Sequence, residues 1–355
     1  HERLVGSEMC IRDSYMKTRN TKIEVLRLVL MCFIFAWHLI VHGLDFEYVG
    51  KGVVEYSNIN VMLFFCTLFV PATYCFVFIS GYYGIKFSLE KLLNILSWCL
   101  LVSVGVVCFR LFFWHEQIGM KELYRSLFPI TTNKWWFMSA FVLLYLLSPC
   151  LNLCKVYLNK NQFKILLILL FTFLQFRIFA FLPNAGSDVL GILFVYLLGQ
   201  YMNKYKVITR KKAIYSYAFA FVTMFFVLVL INQLSLFLHK EGINKAIWII
   251  LGYSNPLIIL MAISMFYLVY ESSPYFNKRL NVLLSGNLFI YLLTDGTSLV
   301  NYKRIVSELE NSLVYGGAFC LLIILGSLLV GYVVIKLSYY IIHRVVLSEK
   351  KLWFK

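Results

Sequence analysis

In the stretch RLVLMCFIFAWH a permanent cation, Arg27, and a titratable ring, His38, bracket ten residues without charge. In a helix the two positions are close to three turns apart. They therefore share one face and stand roughly 16 Å from each other along the axis. A guanidinium grips phosphate with a fixed fork of donors. A neutral imidazole takes a proton from a hydroxyl near pH 7. One rod carrying both joins an anion grip to a general base. Plain readings compete at each residue: an arginine near a helix end snorkels to water, and a histidine packs inside a bundle. An ionisable group at depth in an apolar span is nevertheless a functional candidate, and the shared face favours the pair. Glu24, one turn before Arg27, is placed to pair with it. His42 makes a His-x3-His zinc pair conceivable, but an interfacial position suits it better and no metal is expected.

The elements that must position these groups are transmembrane helices. Of 355 residues, 61% are hydrophobic and 14% charged, well below the roughly 25% charge of soluble domains. The apolar residues recur in runs of about 20, the length a helix needs to cross hydrocarbon. The runs are continuous rather than alternating, which argues against a β-barrel. The fold class is all-α and polytopic, with about ten spans near 23–44, 61–80, 92–113, 135–154, 162–182, 189–203, 214–238, 246–270, 280–300 and 313–342. Lysine and arginine crowd the loops on one side of that count, so both termini are expected in the cytoplasm.

The formal charge of +16 is spread over these short loops, which speaks against a nucleic-acid partner. Arg110, Arg177 and Lys336 also fall inside spans, but toward span ends where snorkelling suffices. The cysteines lie mostly in apolar runs and form no metal or disulfide framework. Residues 1–15 have no signal-peptide core and resemble translated adapter sequence. The native protein is expected from Met16, as a single membrane domain over 16–355.

Four blocks carry a family likeness. IEVLRLVLMCFIFAWHLIVHG holds the Arg27–His38 pair. FVFISGYYG ends in Ser80 and Gly81. KWWFMSAFVLLYLLSPCLN closes on Pro149 and Asn152, and LFIYLLTDG precedes the tenth span. Together they resemble the acyltransferase 3 family of integral-membrane acyltransferases over most of residues 22–345. The last block places Thr294 and Asp295 where the family motif usually carries a histidine.

The resemblance implies an O-acyltransferase of the bacterial inner membrane. It would move an acyl group, commonly acetyl from cytoplasmic acetyl-CoA, to a hydroxyl of a surface or lipid-linked carbohydrate. His38 would be the base or carry the acyl group transiently, and Asp295, in the same outer half, would orient it. Arg27, Ser80, Gly81 and Lys86 would hold the acyl-CoA. Gly81 would let its chain pass close to the backbone. Trp135 and Trp136 would contact the acceptor glycan, although tryptophans also gather at membrane interfaces. A transporter or flippase for a lipid-linked sugar is the rival; no repeated halves favour it.

Overall fold

The computed structural model describes residues 20–49, 58–176, 185–205, 208–297 and 299–353. The 1–15 leader and Arg177 lie outside the described residues. The chain is helical throughout, with no strand among the described residues. Six helical stretches are long and apolar enough to cross a membrane: Thr21–Gly43, Ile59–Tyr83, Leu89–Phe113, Trp136–Tyr157, Arg210–Phe237 and Leu313–Ile342. The chain is an integral membrane protein. Helices satisfy their own backbone polar groups, as hydrocarbon requires.

The first helix, α1 (Thr21–His38), is capped by Asn20, whose side chain accepts from the Lys22 amide at 3.2 Å. It runs on through a π-helical turn, Leu39–Gly43. The second expected span is two helices, α2 (Ile59–Phe69) and α3 (Ala72–Tyr83). They part at Val70–Pro71, where proline offers no amide to continue the ladder. Then follow α4 (Leu89–Phe113), a short amphipathic α5 (Met120–Leu127), and α6 (Trp136–Tyr157).

The remaining four expected spans are shorter or partly outside the described residues. α7 (Lys160–Gln175) and α8 (Ala185–Tyr205) flank residues that are not described. After the long α9 (Arg210–Phe237), the eighth span divides into α10 (Lys245–Ile250) and α11 (Pro256–Tyr270). Asn255 caps α11, accepting from the Leu257 amide at 2.9 Å, with Pro256 in the first turn where its missing donor costs nothing. The ninth span divides into α12 (Lys278–Leu283) and α13 (Leu288–Thr294) around a 3₁₀ turn. An outer helix α14 (Tyr302–Asn311) leads into the last, α15 (Leu313–Trp353). At 41 residues, α15 is roughly 60 Å long at 1.5 Å per residue, twice a hydrocarbon core.

Burial sorts these helices. Leu30 of α1, Phe78 of α3, Tyr196 of α8 and Phe266 of α11 are fully enclosed. Phe219, Val222 and Phe226 of α9, and Leu322 and Leu329 of α15, stand exposed, as side chains facing lipid tails do. Two glycines set the tightest crossing. A Cβ on Gly81 would collide with the Tyr196 carbonyl oxygen, and one on Gly199 would meet the Phe78 carbonyl oxygen at 2.7 Å. Small residues let helix backbones touch in this way.

Candidate active site

Arg27, Met31, Ile34 and His38 recur at the spacing of one helix face. Arg27 points across to α3, its guanidinium 5.8 Å from the Phe76 ring centroid. Met31, Ile34 and His38 line an enclosed cavity of about 70 Å³, closed on the α3 side by Val70 and Thr73. Both ends of the stripe therefore turn into the bundle and toward the same neighbour.

The cavity gathers the breaks in the expected spans. Val70 comes from the α2–α3 break, Tyr253 from the α10–α11 break, and Tyr291 from α13 just before its corner at Asp295. Interrupted helices inside a membrane persist where protein encloses them or where they line a cavity. Trp136 and Phe137 of α6 complete the wall. The Trp136 ring centroid lies 5.3 Å from that of Tyr253, which in turn is 5.1 Å from Tyr74.

His38 meets Asp295 here. Nε2 of the imidazole is 3.9 Å from the nearer carboxylate oxygen, with the two side chains 12% and 21% exposed. That spacing is too long for a hydrogen bond, but the carboxylate still acts on the ring through its charge, little screened at this depth. The other ring nitrogen, Nδ1, is buried without a hydrogen-bond partner. The tautomer with its proton on Nε2, the side nearer Asp295, would leave the lone pair on Nδ1. The arrangement follows the orienter–base logic of a hydrolase triad with the two nitrogens exchanged.

The backbone around Asp295 is fixed by residues that local sequence does not reveal. The Trp135 indole donates to the Asp295 carbonyl at 2.7 Å. The Tyr302 hydroxyl donates to the Thr294 carbonyl at 2.6 Å. Gly296 follows with φ +63°, a left-handed conformation that glycine adopts without strain. Thr294, at the family's histidine position, turns its hydroxyl back to the Ile290 carbonyl at 2.6 Å. The two expected acceptor tryptophans thus diverge: Trp136 lines the cavity, whereas Trp135 is fully buried and holds the Asp295 loop.

Beyond His38, the π turn carries His42 to 5.7 Å from it, ring to ring. π turns inside α-helices recur at functional sites. Tyr302 stands 6.1 Å from the His38 ring and 5.9 Å from that of His42. His42 Nδ1 lies 3.2 Å from a Glu47 oxygen, a carboxylate that helical spacing alone passes over. Lys303 pairs with Asp45 at 2.9 Å, which tacks α14 onto this end of α1. The bonded Asp45 carboxylate holds the Lys303 ammonium above its ordinary pKa.

At the other end of α1, Arg27 binds Glu24 at 2.7 Å, as their spacing implies. Glu24 is almost wholly buried, and its backbone carbonyl accepts from the Asn287 amide at 3.2 Å. Of the four residues expected around the acyl donor, only Arg27 lies on the stripe. The Ser80 hydroxyl returns to the Phe76 carbonyl at 3.1 Å. The space beside Gly81 is filled by the Tyr196 backbone, so this glycine serves the α3–α8 contact. Lys86 is exposed on the loop that follows.

That loop is tied down by Asn152, the last residue of the Pro-x-x-Asn block. Its amide donates to the Ile85 carbonyl at 2.8 Å, and its oxygen accepts from Tyr196 at 2.8 Å and Gln200 at 2.5 Å. Tyr196 and Gln200 were not singled out from sequence; both lie on α8, far from Asn152 along the chain.

An all-helical membrane protein with a part-buried imidazole on a cavity, a carboxylate beside it and a cation on the same helix face has the parts of a membrane group-transfer enzyme. The chain matches the acyltransferase domain of the acyltransferase 3 type over residues 20–332 and belongs to that family of membrane acyltransferases. Neither the curated proteins nor the solved structures give a match.

Proposed function

We propose that the chain is an O-acyltransferase of the bacterial inner membrane, transferring acetyl from cytoplasmic acetyl-CoA to a hydroxyl of a surface or lipid-linked carbohydrate. It would cross the membrane with ten helical segments, both termini cytoplasmic and the His38 end of α1 outward. The observation that supports this reading is the Arg27–Met31–Ile34–His38 stripe, which leads from a phosphate-holding cation to a base beside a cavity.

Arg27 holds a phosphate of the donor, exchanging part of its bond to Glu24 for a dianionic partner. The nucleotide stays at that end, and the pantetheine arm lies along Met31 and Ile34 with its thioester at the cavity. Nδ1 of His38 accepts the proton of the acceptor hydroxyl. The oxygen attacks the thioester carbonyl, the carbon–sulfur bond breaks, and the leaving sulfur takes the proton from the imidazolium. The products are an ester and the free thiol of coenzyme A. Asp295 stabilises the imidazolium through its charge while the proton resides there.

The test uses purified full-length protein in lipid nanodiscs with acetyl-CoA and a carbohydrate acceptor, reading thiol release and ester formation. Wild type is expected to release thiol only with acceptor present, and His38→Ala is expected to release almost none. Equal turnover by both would overturn the role of His38. A flippase or transporter would release no thiol from either.

A further inference from the structure

A second pocket lies on the far side of the seam that holds Asp295. Its volume is about 550 Å³, within the range of small-molecule sites. Lys121, Glu122, Arg125 and Ser126 of α5 line it, with Lys134 and Gly296. The seam is one residue thick on each segment. Lys134 faces this pocket while its near neighbour Trp136 faces the His38 cavity. Gly296 faces this pocket while Asp295 approaches His38.

The pocket carries more positive charge than its own residues balance. Glu122, its one carboxylate, is already bonded by Arg110 of α4, which also holds Glu116 at 2.6 Å. Lys134 rests on two hydroxyls, Ser103 at 2.8 Å and Ser126 at 3.3 Å, rather than on a carboxylate. Burial, and then the Arg125 and Arg110 charges, push its ammonium down to about 8 against the pull of Glu122. A desolvated cation facing further cations is relieved by an anion.

We propose that this pocket binds an anionic group of the acceptor, a carboxylate or phosphate on a sugar, beside the loop that carries Asp295. The proposal rests on the acyltransferase reading for the use of the site, but not for its occupancy. Lys121 and Arg125 meet the anion from the α5 side and Lys134 from the seam. A neutral sugar gains none of these charge-assisted bonds. Because Lys134 directly precedes Trp135, which holds the Asp295 carbonyl, an occupied pocket also fixes the carboxylate that orients the base.

The experiment measures binding and turnover separately on the full chain in nanodiscs. Glucuronic acid, glucose 1-phosphate and glucose are titrated, with thermal unfolding as the binding readout. The expected result is a saturable rise in melting temperature with one or both anionic sugars and none with glucose. It should be weakened at least tenfold in Arg125→Gln and in Lys121→Gln, and retained in His38→Ala. The two anionic arms decide between carboxylate and phosphate. Equal responses to all three sugars, no response to any, or responses unchanged in both variants would each overturn the pocket. Retained anion binding in a protein that never releases thiol from acetyl-CoA would overturn the acyltransferase reading and leave the pocket standing.

Discussion

The two ends of α1 are built differently. Around His38 the chain is broken three times, at Val70–Pro71, at the α10–α11 loop and at Asp295–Gly296, and the last two breaks are capped or pinned by named bonds. Around Arg27 the guanidinium meets the Glu24 carboxylate and the Phe76 ring, and the 3₁₀ turn between α12 and α13 reaches the helix through Asn287. An end that reacts must hold groups where charge develops, which calls for preorganised polar atoms. An end that only grips needs a cation that can trade one anion for another. In the proposed function, chemistry falls to the His38 end and donor binding to the Arg27 end.

If that assignment holds, damage at the two ends should separate in kinetics. The largest effect is expected from His38→Ala: kcat should fall by ~10²–10⁴-fold, the usual weight of a general base, with the donor KM little changed. Asp295→Asn should follow. It removes a charge beside the ring, worth up to about 4 kcal/mol at this spacing for an effective dielectric near 20, and a fall of roughly 10- to 100-fold in kcat is expected. Arg27→Ala should act on the other parameter, raising the acetyl-CoA KM by roughly tenfold or more on the scale of charged bonds while saturating turnover persists. A fall in kcat alone would erase the distinction between the ends.

Trp135→Phe keeps an aromatic ring but is smaller and loses the bond to the Asp295 carbonyl, a loss of about 1 kcal/mol for the bond alone. A kcat drop of several-fold is expected, without loss of folded protein on size-exclusion chromatography. The smallest effect concerns pH. Lys134 loses its proton as pH rises through about 8, so anionic sugars should bind in full below that value and progressively less above it. Arg110 and Arg125 face it from α4 and α5, and Glu122 lies on the same wall. The loss is therefore partial and should vanish in Lys134→Gln.

The Arg27–His38 face was legible because helical periodicity is local and α1 is unbroken between them. Asp295 was legible as a position, through its place in a family-like block, and the structure brings it to 3.9 Å from His38. Trp135 was read as an acceptor contact because tryptophans beside a span end face sugars or interfaces alike. Its bond to a carbonyl 160 residues away has no local signature. Tyr302, Tyr196 and Gln200 escaped for the same reason. Hydropathy located the six long apolar helices but passed over the short amphipathic α5 and α14, and it averages over breaks. The split of α2 from α3 carries a proline as a sign, and the corner at Asp295 a Thr-Asp-Gly run.

The Gly81–Gly199 crossing has a consequence for how the bundle moves. With backbone atoms of α3 and α8 in direct contact, neither helix can slide or roll against the other without collision. That pair is a fixed jamb in a wall of otherwise adjustable side chains. A bulkier residue at position 81 would force these two helices apart and disturb the wall that both share.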